Sequence, residues 1–253
     1  MPRSAARFSP CTPRAFTLVE LLVAMAIIAV LSFLATAGYA RIKHQALRTK
    51  CIANIKSLAA ADILYYGDHG IFPAVEGLIP STISAARLQA MGEYINMPVP
   101  EGKVSTWPRR AQQPDWYNCP AARESGYAEG MTAGGGVYTG YMYLGGLEES
   151  QLILSGMAKL TNPKHTAPRN NLRRGVLWCD ILSEFRGAGE RRFECFHSQR
   201  GVRHPDFRFE EREIEGMNRA WSDGSVEWLP RQQLNLSSKE NLQIEHFMGN
   251  YYY

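Results

Sequence analysis

The stretch Arg14-Ala15-Phe16-Thr17-Leu18-Val19-Glu20-Leu21-Leu22-Val23 decides the reading, and it runs on apolar as far as Ala40. Residues 16–40, FTLVELLVAMAIIAVLSFLATAGYA, hold one side chain that is charged at neutral pH, Glu20. A helix rising about 1.5 Å per residue needs about 20 apolar residues to cross the hydrocarbon of a bilayer. The run is long enough to span. Arg3, Arg7 and Arg14 precede it in a stretch without acidic residues, which favours a cytoplasmic N-terminus. A cleaved secretory signal competes, with Ala35-Thr36-Ala37 as its cutting site, but such a core is usually about 7–15 residues and does not carry a carboxylate. A carboxylate inside a membrane segment costs about 2.5–3.5 kcal/mol on insertion scales, so it calls for a partner. No basic side chain lies near enough along the run to supply one, so a partner from another molecule is the economical reading.

This stretch resembles the prepilin-type cleavage and methylation motif of type IV pilins and type II secretion pseudopilins. The resemblance implies cleavage by prepilin peptidase between Ala15 and Phe16, and N-methylation of Phe16. It also implies an assembly role for Glu20, facing the N-terminal amine of a neighbouring subunit. Ala15 stands where glycine is commoner in that family. A contact in which each Glu20 meets the next Phe16 is head-to-tail, and repetition of such contacts grows a helix rather than closing a dimer. The implied fold is α+β and pilin-like, with a long N-terminal helical spine on a small antiparallel sheet with long loops. Its divisions are a leader at 1–15, a transmembrane helix at 16–40, an amphipathic stem at 41–66 and an extracytoplasmic globular domain at 67–253. The implied location is the inner membrane, single-pass, with the C-terminal domain periplasmic. The implied partners are prepilin peptidase, other pilin-like subunits, a membrane assembly platform and lipid.

The totals fit. Apolar residues make up 45% of the 253, an ordinary globular share. Loss of Arg3, Arg7 and Arg14 with the leader takes the formal charge from +4 to +1, leaving no basic excess for nucleic acid. Of five cysteines none forms a CxxC pair, which removes the zinc-ribbon and thioredoxin readings.

Residues 41–66 contain neither proline nor glycine. Leu47, Cys51, Ile52, Ile55, Leu58, Ala59 and Ile63 recur at helical spacing as one apolar face, with Lys50, Asn54 and Ser57 opposite. Gly67-Asp68-His69-Gly70 ends the helix. Residues 81–95 read as a second helix capped by Ser81 or Thr82, with Ile83, Leu88, Met91 and Ile95 inward. Prolines at 98, 100, 108, 114 and 120 give a loop anchored by Trp107, Trp116 and Tyr117. Strands are expected at 137–144 and 175–182, and a short helix at 152–160. Trp221-Ser222-Asp223-Gly224-Ser225-Val226-Glu227-Trp228 predicts a hairpin with Asp-Gly as a two-residue type I′ loop, which puts Trp221, Val226 and Trp228 on one face. This segment, with Cys119-Pro120, residues 141–146 and Gly216-Met217-Asn218, resembles large pilin-like proteins of planctomycete and verrucomicrobial bacteria. His204 and His197 lie farther upstream of Asp223 than that group's histidine does.

Candidate sites are few. Cys51 on the apolar face and Cys119 in a Pro-bounded loop are expected to approach and pair as a disulfide in an oxidising compartment. Asp180, Asp223 and Ser225 offer oxygens to a calcium ion, which the resemblance to the major pseudopilins implies at C-terminal loops, although Asp-Gly-Ser is equally turn chemistry. No other cofactor is expected. Cys195, His197 and His204 lack a suitably spaced fourth transition-metal ligand. No Ser/His/Asp, paired-carboxylate or Cys/His constellation supports an enzyme. The expected function is a structural filament subunit. Its rival is a singly anchored extracytoplasmic binding module that forms no filament.

Overall fold

The computed structural model describes residues 16–73, 82–97, 115–121, 136–146, 158–160, 173–187, 190–198, 208–234, 236, 242–246 and 249–252. Expectations at Ala15, Trp107 and His204 lie outside them. The chain divides into two compact units, residues 1–45 and 46–253.

Helix α1 spans Leu18–His69. In the first unit its described side chains from Leu18 to Leu34 are all exposed, Leu18 at 79% and Phe33 at 75%. Among the described residues no helix is long and apolar enough to cross a membrane. The side chains of residues 35–38 and 40, which complete the apolar run in the sequence, are not among those described.

In the second unit α1 behaves as an amphipathic helix. Cys51, Ile55, Leu58 and Ala59 are fully buried, as the spacing predicts, and Ala61 is buried beside them. The buried face is wider than the sequence suggests. Asn54, expected opposite, is buried and donates through Nδ2 to the Asn118 carbonyl at 3.1 Å and the Tyr141 hydroxyl at 3.3 Å. Asp62 is buried as well. A buried polar side chain on a helix is tolerated where partners await it, and both have them.

Strand β1 (Thr82–Ser84) leads into helix α2 (Ala85–Ile95). The cap is Ser84, whose Oγ accepts from the Arg87 backbone N–H at 3.2 Å, and not Ser81 or Thr82. Residues 82–84 are extended because they pair with β2 (Gly136–Tyr138). Ile83, Leu88 and Met91 point inward as expected. The strand expected at 137–144 is two strands in different sheets: β2, a reversal at Thr139-Gly140, then β3 (Tyr141–Tyr143). Residues 158–160, expected to be helical, form β4 and pair with β11. There follow β5 (Val176–Asp180), β6 (Leu182–Gly187), β7 (Glu190–Cys195), β8 (Arg208–Phe209), β9 (Gly216–Trp221), β10 (Val226–Pro230), β11 (Leu242–His246) and β12 (Gly249–Tyr252).

A four-stranded sheet has the order β10-β9-β5-β3, and a six-stranded sheet the order β4-β11-β12-β6-β7-β8. All pairings are antiparallel. The fold class is therefore α+β, with an N-terminal helix, a second helix and a small antiparallel four-stranded sheet. Along α1, Arg48 lies over the Trp228 ring of β10 at 3.4 Å, Asn54 bonds Tyr141 of β3 and Asp62 bonds Trp178 of β5. Residues 48–62 thus lie across one face of this sheet, with Ile55, Leu58, Tyr141, Tyr143 and Trp178 in the core.

The β9–β10 hairpin departs from expectation by one residue. Val226 pairs with Ala220, so the loop is Ser222-Asp223-Gly224 rather than Asp-Gly alone. Gly224 adopts φ 81°, while Asp223 keeps a negative φ, which excludes the type I′ turn. The Gly224 N–H donates to the Trp221 carbonyl and the Trp221 N–H to the Ser225 carbonyl, both at 2.9 Å. A one-residue slip moves a side chain to the other face. Trp221 accordingly leaves the face of Val226 and Trp228 and lies beneath the guanidinium groups of Arg174, at 3.9 Å, and Arg219, at 5.1 Å.

Candidate functional site

Among the described residues, two places gather chemistry-bearing side chains. The first is the start of α1. Thr17 donates from its backbone N–H and from Oγ1 to Glu20 Oε2, at 2.9 and 2.8 Å, and the Glu20 N–H donates back to Thr17 Oγ1 at 3.2 Å. This reciprocal arrangement is a capping box. Glu20 thus has a local partner that its spacing alone did not disclose, and a carboxylate in the first turn also suits the positive end of the helix. Phe16, just ahead of it, is 79% exposed.

The second place lies in the interior of residues 46–253. Cys51 on α1 and Cys119, just after a short 3-10 turn at Asp115–Tyr117, bring their sulfurs to 3.3 Å, both fully buried. Neither is in a disulfide. The Pro-bounded segment is carried back to the helix by buried Trp116 and Tyr117, and by the Cys119 N–H bonded to the Thr139 carbonyl at 3.3 Å. Burial, then the neighbouring Cys119 thiol, pushes the Cys51 thiol well above its ordinary value. His197 joins them: a ring nitrogen and the two sulfurs all lie within 4.8 Å of one another.

His197 leaves β7 into a segment fixed by the Glu215 N–H donating to the His197 carbonyl at 2.9 Å. The ring sits edge-on to Trp228 at 5.5 Å. Its Nε2 lies 3.2 Å from Asp180 Oδ2, off the alignment of a hydrogen bond. Burial pushes the His197 pKa down, but the Asp180 carboxylate more than offsets this and leaves it raised. Asp180 Oδ2 also accepts from the backbone N–H and the side-chain Nδ2 of Asn218, both at 2.7 Å.

The sequence groups these residues differently. It sets His197 beside Cys195 and His204, whereas Cys195 Sγ turns to the His197 carbonyl at 3.8 Å. Positions 51, 119 and 197 share no motif spacing, and only the fold unites them. Of the residues considered for calcium, Asp223 and Ser225 share a turn but Asp180 is apart from them. Asp180 sits at the end of β5 level with Asn218, and Asp223 and Ser225 lie in the turn beyond Trp221, at the other end of that strand pair. Asp223 is occupied by Arg174 Nε at 2.8 Å and by the Ser225 N–H at 2.9 Å. These contacts, the Ser225 bonds first, hold its pKa down at about 2.

Comparison with known proteins gives one finding: the family model for the prokaryotic N-terminal methylation motif matches residues 13–36. No curated protein and no solved structure matches. The matched segment contains Ala15, Phe16, Thr17 and Glu20. The motif supports processing by prepilin peptidase and attachment at a membrane through the N-terminus. The chain thus carries at residues 13–36 the prokaryotic N-terminal methylation motif, as a type IV pilin- or pseudopilin-like protein does.

Proposed function

We propose that this protein is a structural subunit of a type IV pilus or type II secretion-type filament, held in the inner membrane by residues 16–40 before assembly, with residues 67–253 on the far side. One observation carries the reading: the methylation motif at 13–36 falls on an apolar run whose described side chains are exposed along the whole of 18–34. An apolar surface of that extent needs a cover. A bilayer supplies it for the single subunit, and the same helices of neighbouring subunits supply it in a filament. The leader ends at Ala15 and the mature chain begins at N-methyl-Phe16. Its amine meets Glu20 of a neighbour, drawing the carboxylate out of its cap with Thr17. No catalytic role is assigned, and no nucleic acid partner.

Mass spectrometry of the mature N-terminus tests this directly. The expected product starts at Phe16 with one added methyl group. A chain starting near Gly38, after Ala35-Thr36-Ala37, belongs to ordinary secretion and overturns the proposal. A mature N-terminus at Phe16 on a protein found only in membranes, never in sheared filaments, favours the single-anchor binding module instead.

A further inference from the structure

We propose that Cys51, Cys119 and His197 form a binding site for a thiophilic divalent metal ion of the zinc class, buried between α1 and the four-stranded sheet. Three donors converge from parts of the chain far apart in sequence, each nearly or fully buried, their ligand atoms within 4.8 Å of one another. Two thiolates and an imidazole are a zinc donor set of the three-protein-ligand kind, which leaves the fourth tetrahedral position to a water molecule. Bonds of about 2.3 Å to each sulfur at a tetrahedral angle set the sulfurs ~3.8 Å apart. The 3.3 Å observed is within ~0.5 Å of that.

The surroundings favour an ion over the rival disulfide. A disulfide engages the two sulfurs alone, whereas an ion also engages His197, which is 1% exposed and has a ring nitrogen within 4.8 Å of both. A divalent ion with two thiolates and a neutral imidazole carries no net charge, which suits a dry interior. Asp180 stands 3.2 Å from the imidazole, where a carboxylate orients a metal-bound histidine. It is itself fixed by Asn218 and retains one oxygen, Oδ1, without a hydrogen bond. Binding releases the two thiol protons to solvent and changes no oxidation state. Such an ion would tie α1 at Cys51, the loop at Cys119 and the segment after β7 at His197, so that it acts as a structural clasp.

The test uses the full chain purified in detergent without chelator. Metal content by mass spectrometry should show about one zinc per chain. Cobalt(II) added to the metal-free protein should give a thiolate-to-cobalt charge-transfer band that zinc abolishes. Cys119→Ser and His197→Ala should each weaken cobalt binding at least tenfold, while Cys179→Ala, a buried thiol outside the cluster, should leave it unchanged. Peptide mapping without reductant that finds Cys51 joined to Cys119 overturns the proposal, as does equal cobalt binding by Cys119→Ser. If the variants do not fold, the wild-type melting temperature decides. A rise of several degrees with excess zinc, reversed by chelator, supports the site, and no change overturns it.

Discussion

Asp62 shows at the scale of one residue how the second unit holds α1. It is fully buried on a helix face otherwise apolar, with Oδ2 accepting from Trp178 Nε1–H at 2.6 Å and Oδ1 from Arg87 Nη2 at 3.3 Å. The Arg87 guanidinium lies 3.5 Å over the Tyr143 ring, so both charges are enclosed. Burial pushes the Asp62 pKa up, against the pull of Arg87 and Trp178. The folded chain therefore binds this proton more tightly than the unfolded one. The Asp62 contribution to stability is greatest below the ordinary carboxylate range and declines as pH rises through the folded pKa. Asp62→Asn keeps an acceptor for Trp178 Nε1–H but loses the charge facing Arg87. Because it copies the protonated carboxyl, its cost in urea denaturation should be about 1–3 kcal/mol and should shrink as pH rises through the folded pKa. The double variant Asp62→Leu/Arg87→Met should cost less than the sum of its singles, and simple additivity would show that the pair does not act as a unit. Asp223 is the opposite case, half exposed with its pKa held at about 2. Its contribution is present above the ordinary carboxylate pKa and fades as pH falls towards the folded value. Asp223→Asn should therefore lose ~0.5 kcal/mol at neutral pH, a difference that closes between pH ~4 and ~2.

At the scale of elements, the β9–β10 hairpin depends on close approach of backbone and ring. Gly216 opens β9 with φ 154°, and a Cβ there would meet the Leu229 carbonyl and, at 2.6 Å, a ring carbon of Trp228. Trp228 also carries Arg48 of α1 on its face and His197 at its edge, so it cannot move aside freely. Gly216→Ala should lose about 2–4 kcal/mol from strain and overpacking together. A thermal melt within one degree of wild type would mean that Trp228 yields. The hairpin also shows how far turn chemistry reads from sequence. Asp223-Gly224 is a genuine reversal, yet its register came out one residue away, because the Ser225 carbonyl takes the Trp221 N–H and Gly224 alone goes left-handed.

For the whole molecule the filament proposal rests on Glu20. Glu20→Ala removes the proposed contact with a neighbour's amine together with the capping box at Thr17. The cap is worth about 1 kcal/mol to one helix end and should not unfold residues 46–253. The variant should accumulate normally in membranes yet be scarce in sheared filaments. Glu20→Gln keeps an acceptor for Thr17 while losing the charge, so it separates the two roles. It should also assemble poorly, and wild-type filament yield from Glu20→Gln would reduce Glu20 to a helix cap. For a plain anchor either change would be neutral or favourable, since each removes a carboxylate from an apolar segment.

Residues 13–36 were legible by themselves because the motif is local: a basic leader, a small residue, Phe16 and an acid four positions on, all within a few consecutive residues. The helical run of α1, its stop near Gly70 and the inward set Cys51, Ile55, Leu58 and Ala59 were equally legible, since periodicity is a property of consecutive residues. What the tertiary structure decided was every feature that depends on distant partners. Asn54 and Asp62 went inside because Asn118, Tyr141, Trp178 and Arg87 met them there. Residues 82–84 and 158–160 became strands because β2 and β11 offered edges to pair with, which outweighs weak local preference for helix. The company of His197 with Cys51 and Cys119, 68 residues apart in the case of the two thiols, exists only once α1 lies across the sheet.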